Sequence, residues 1–144
     1  MGDRVTIKSM DQAAEQLGHY LHLAQASERR RQPLVRDRLL VLCGVLAADM
    51  GLPSIAACCR QRILKHNPAH LISRFEDFAT ALEDAEFLTL LRQLARRYPQ
   101  EKVETMLSVL GIDAAGEQDA YFTSEEYAAA ILGYSLTELK AEFG

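Results

Sequence analysis

The sequence predicts an all-α fold, one domain of about eight helices over residues 1–144. Three observations predict it. Apolar residues recur three and four positions apart in segment after segment, and no stretch alternates as a half-buried strand does. The prolines and most glycines stand between those segments, where they act as breakers. The third is an uncharged run, Leu39 to Ala48, reading LLVLCGVLAA. It suits about three helical turns buried on every side. It falls short of the roughly 20 apolar residues that a membrane span needs.

Taken in order, residues 1–8 are expected to form a short lead-in, with Val5, Thr6 and Ile7 briefly extended. Ser9 with Gln12 reads as a capping box opening a first helix that runs to about Arg31, on Leu17, Tyr20, Leu21 and Ala24. Its last turn carries Arg29, Arg30 and Arg31, where the helix dipole favours cations. Pro33 breaks the chain and opens a second helix, which enters the uncharged run and stops at Gly51. Pro53 opens a third, with Ile55, Ala56, Cys59 and Ile63 on one face. Asn67-Pro68 ends it, because a residue before proline is pushed out of the helical region.

A fourth helix is expected over Leu71 to Leu82, and a fifth, capped by Asp84, over Phe87 to Tyr98. Pro99 separates a sixth, closed by Gly111. Residues 112–122 form an irregular connection. Thr123 with Glu126 and Ser135 with Glu138 cap two short final helices, divided by Gly133.

Charge is uneven along the chain. Residues 1–74 carry 11 Lys/Arg against 6 Asp/Glu, and residues 75–144 carry 5 against 14. A basic front and an acidic back suit a charged partner, or each other in a homodimer. Three cysteines with no C-x-x-C pairing fit free thiols in a reducing cytoplasm.

The stretch from Asp37 to His70 resembles one tetratricopeptide repeat. Leu40, Cys43-Gly44, Ala47, Ala56, Arg60 and Pro68 stand at the family's offsets, and Gly51 lies where the inter-helix turn belongs. Ala47 and Arg60 replace aromatics, Ile63 replaces a small residue, and Phe78 falls where a next unit would place its glycine. The resemblance therefore covers one αα-hairpin. It implies close packing, with Gly44 facing Ala56, and peptide or protein binding in a concave groove. At the other end, Ala129, Gly133, Ser135 and Leu139 have the spacing of a helix-turn-helix, but the would-be reading helix carries Glu138 and Glu142 and lacks base-reading Arg, Asn or Gln.

Candidate chemistry is sparse. Glu15, His19 and His22 share one helix side, which makes them weak candidates for a metal, but no second ligand pair accompanies them. Cys58-Cys59, with Cys43 nearby, reads as buried thiol; no His and Asp/Asn partners can be assigned for a nucleophile. There is no phosphate-cradling glycine loop, and nothing calls for a cofactor. The main candidate is basic: Arg29, Arg30, Arg31, Arg36 and Arg38 at one helix junction, with Arg60, Arg62 and Lys65 on the third helix. If these converge, they offer an anionic partner one face. The expectation is a non-enzymatic protein or peptide interaction module, with nucleic-acid binding through the arginines as the alternative and a helical metalloenzyme behind it.

Overall fold

The computed structural model describes the backbone of residues 3–144 and the side chains from Gln12 onward. Among these residues are eight α-helices, two 3₁₀ turns and no strand: α1 (Asp3–Arg29), α2 (Pro33–Asp49), α3 (Pro53–His66), α4 (Phe78–Ala81), α5 (Ala85–Arg97), α6 (Gln100–Val109), α7 (Ser124–Leu132) and α8 (Leu136–Phe143). The all-α bundle expected from the periodicity is the observed fold.

α2 is the central element. Pro33 occupies its first turn, and the uncharged run follows with Leu39, Val41, Cys43 and Ala47 fully buried. An apolar surface on all sides requires neighbours on all sides. α1 and α3 flank α2, α4 and α5 cover it, α6 and α7 lie on α1, and α8 closes over α3. At about 25 cal/mol per Å² of apolar surface removed from water, this shared core dominates the folding energy.

Small residues set two crossings. A Cβ at Gly18 would stand 2.5 Å from the Tyr127 hydroxyl oxygen, so α7 crosses α1 there. Gly44, expected against Ala56, is instead covered by Phe78: the three heavy atoms nearest to a Cβ placed on it all belong to that ring. The missing side chain on α2 is thus the seat of α4. Phe78 is 1% exposed and meets Phe87 edge-on at a centroid distance of 6.2 Å.

Three expectations are corrected. The lead-in over residues 1–8 is not separate, since α1 begins at Asp3 and runs through Ser9, which is therefore no N-cap. That helix stops at Arg29, and Arg31 adopts a left-handed conformation with φ 57°. The expected fourth helix is divided: Leu71–Arg74 is a 3₁₀ turn, Phe75 is extended, and α4 begins only at Phe78. The division has a local cause. Arg60 donates twice to the Phe75 carbonyl, at 3.1 and 2.7 Å, so that oxygen is taken from the helical ladder. Asp77 then accepts the Thr80 N–H at 2.8 Å and starts a new element.

The late caps form as expected. Thr123 accepts the Glu126 N–H, and Ser135 with Glu138 forms the reciprocal capping box. The connection at 112–122 is irregular apart from a 3₁₀ turn, Glu117–Ala120. No described helix is long and apolar enough to cross a membrane.

Candidate functional site

The eight predicted basic residues do not act as one set. Arg36 is buried among its partners. It donates to Glu28 Oε2 at 2.5 Å and to Asp37 Oδ1 at 3.0 and 3.1 Å. Arg60 is spent on the Phe75 carbonyl. Arg62 donates to Gln25 Oε1 at 3.0 Å and to the Leu132 carbonyl at 2.5 Å, and its guanidinium lies 5.8 Å from the Tyr134 ring centroid. It ties α3 to the C-terminal end of α7, where free carbonyls favour a cation. Arg38 is half-buried. Lys65 and the Arg29–Arg31 run are exposed.

Three of the eight nevertheless meet. Arg36, Arg62 and Lys65 line a cleft of about 400 Å³ whose walls are α1, α2, α3 and the last helix. Ala24 and Leu40 form its apolar floor. Gln25, Gln61, His66 and Tyr134 add hydrogen-bonding groups, and Glu28 and Glu142 place two carboxylates on the same walls. The Arg36 guanidinium, hydrogen-bonded to Glu28, holds that carboxyl below its ordinary value. His66 stands 4.0 Å from Glu28. Desolvation works against the charge on Arg36, but Glu28 and Asp37 outweigh it and strengthen the guanidinium's hold on its proton. The cleft is a mixed-charge concavity in which Arg62 and Lys65 make no ion pair among the described residues, and Arg62 is already committed to Gln25 and the Leu132 carbonyl.

Sequence reasoning identified the cations but not Glu28, Tyr134 or Glu142. No local signal links them: Gln25 and Glu142 lie at opposite ends of the chain and meet only through tertiary packing.

The weak metal candidates separate. Buried His19 is 3.0 Å from Gln100 through Nδ1 and 3.8 Å from Glu15 through Nε2. His22 turns away to Glu117, 2.7 Å off in the 3₁₀ turn. No group of three or more His, Cys, Asp or Glu positioned for a metal occurs among the described residues. All three cysteines are free and buried. Burial pushes the Cys58 thiol up to about 12 and raises Cys43 well above the ordinary range, with Cys59 hydrogen-bonded beside it. Such thiols stay protonated and shielded, the opposite of an activated nucleophile.

No protein-family model, curated protein or solved structure matches this chain.

Proposed function

We propose that this chain is a non-enzymatic helical interaction module whose cleft between α1, α2, α3 and α8 takes an acidic peptide segment of a protein partner. The observation that carries the reading is the meeting of Arg36, Arg62, Lys65 and His66 around one concavity with an apolar floor. A carboxylate on the peptide would be drawn to Lys65. Gln61 and Tyr134 offer hydrogen bonds that fix its orientation, as small sites with few convergent polar groups do. With Glu28 and Glu142 on the same walls, the cleft suits a single peptide carboxylate set beside Lys65, with apolar neighbours over Ala24 and Leu40, rather than the run of charges on a polyphosphate backbone. The α2–α3 hairpin supplies one side of the cleft, in keeping with a tetratricopeptide-like unit that binds in its groove. The free, buried thiols accord with a reducing, cytoplasmic setting.

The test is fluorescence-anisotropy titration of the protein with acidic and neutral peptide libraries, repeated on Lys65→Glu. Lys65 is exposed, so the substitution leaves the fold intact. Acidic peptides should bind the natural protein and lose about tenfold in affinity on the variant, the effect expected for one charge-assisted contact. Equal binding to both proteins, or none to either, refutes the reading. A mobility shift with nucleic acid that weakens steeply with salt, without peptide binding, would replace it.

A further inference from the structure

Four helices of this chain end in the same way. A residue with φ between 57° and 91° follows the last turn, at Arg31, Gly51, Gly111 and Gly133. In each, its N–H bonds the carbonyl three residues back, and the next N–H bonds the carbonyl five back: Gln32 to Ser27, Leu52 to Ala47, Ile112 to Leu107 and Tyr134 to Ala129. This closure favours glycine followed by an apolar residue that packs back on the helix. Three ends follow the rule. The end of α1 breaks it twice, with Arg31 in the left-handed region and exposed Gln32 after it. A left-handed L-residue is disfavoured. Arg29, Arg30 and Arg31 are all exposed, Arg31 at a position where the backbone favours glycine, and none of the three has a carboxylate within 4.0 Å among the described residues.

Beside this turn lies an apolar groove of about 240 Å³ between the C-terminal ends of α1 and α6. Leu23, Met106 and Leu110 line it, Val109 stands 80% exposed at its side, and Arg30 belongs to its wall. A cavity of about 150 Å³ already accepts a benzene ring.

The complement is on the same chain. Phe122 is 98% exposed. Its loop is pinned on both sides: Glu117 by His22 at 2.7 Å, Tyr121 by the Tyr127 ring at 5.5 Å, and Thr123 by its cap on α7. From Asp113 to Glu138 there are six carboxylates and no Lys or Arg. Lys140 neutralises Glu125 from outside that stretch, and Asp119 is exposed beside Phe122.

From this complementarity we infer that Phe122 of one copy docks into the α1–α6 groove of a second copy, with Arg29–Arg31 facing the carboxylates around Phe122. Each surface leaves apolar groups in water that the other would cover, and their charges are opposite. Groove and anchor are different residues, so the contact is isologous only where a two-fold axis repeats it and is head-to-tail otherwise. It closes into a pair in the first case and grows into a chain in the second. The contact shares no residue with the cleft proposed for the acidic peptide, and each stands without the other.

Sedimentation velocity on the full chain, from micromolar to sub-millimolar protein at low and high salt, tests it. The natural protein should self-associate, more weakly as salt rises. Phe122→Ser and Val109→Asp should each weaken association by at least about tenfold, the effect of losing an aromatic anchor. Both positions are exposed, so neither change disturbs the core. Labelled Val109→Asp titrated with Phe122→Ser should bind again, because one variant keeps the anchor and the other keeps the groove. Arg31→Gly should raise Tm by relieving the left-handed strain and yet lower self-affinity. A natural protein that stays monomeric throughout overturns the inference. So does association untouched by Phe122→Ser, or a mixture of the two variants that does not bind.

Discussion

Replacing Gly44 with alanine separates two physical effects of opposite sign. In a helix interior, glycine costs about 1 kcal/mol relative to alanine, so propensity alone predicts a more stable protein. Gly44 lies in the middle of α2 and is buried, and a methyl placed on it would overlap the Phe78 ring. That ring is 1% exposed and packed edge-on against Phe87, so it must shift to admit the methyl. Overpacking a filled core costs about 1–3 kcal/mol. Loosening the aromatic pair forfeits about 0.5–1.5 kcal/mol more. Set against the propensity gain, the variant should be less stable by about 0.5–3.5 kcal/mol. Urea unfolding would read this as a lower midpoint at unchanged slope. Phe78→Leu also destabilises on its own, but in the double variant the added methyl meets a smaller, more pliable neighbour, so the two losses should sum to more than the double variant loses. A Gly44→Ala protein more stable than its parent, or a double-mutant cycle with no coupling, would refute the close approach of α2 and α4.

Two further outcomes follow from buried groups. Asp37→Ala leaves the buried Arg36 guanidinium with only Glu28, and losing its charge-assisted hydrogen bonds to Asp37 costs about 1.5–3 kcal/mol, readable in the same unfolding assay. The thiols make stability fall at high pH. Cys58 is held up at about 12 against an ordinary 9, so the stability of burying it neutral is complete below pH 9 and is lost as pH rises toward 12. The slope should approach about 1.4 kcal/mol per pH unit for each such thiol, and Cys58→Ala should make it shallower, leaving the contribution of Cys43. A flat profile between pH 9 and 11 in the natural protein would contradict the buried, neutral state.

Much of the architecture was legible because it depends on neighbours in sequence. Pro33 and Pro53 each open a helix, Gly51, Gly111 and Gly133 each close one, and Ser135 with Glu138 forms its box as the spacing predicts. Errors arose where a distant group intervened. Residues 71–82 have helical periodicity, but Arg60 removes the Phe75 carbonyl from the ladder and Asp77 restarts the chain. The start of α1 was misplaced for a different reason: Ser9 is a competent cap in isolation, but the helix simply continues through it from Asp3.

The arginines mark the boundary most clearly. Sequence alone determined an all-helical chain with an uncharged central helix, a basic front half and an acidic back half. It could not tell a structural guanidinium from a free one, since that depends on which carboxylate or carbonyl comes within hydrogen-bond reach. Only the tertiary structure buried Arg36 between Glu28 and Asp37, set Arg62 on the end of α7, and left Arg29–Arg31 in water on a turn where the backbone favours glycine. Helix formation is governed by groups within four residues of one another, whereas a site is assembled by side chains from opposite ends of the chain.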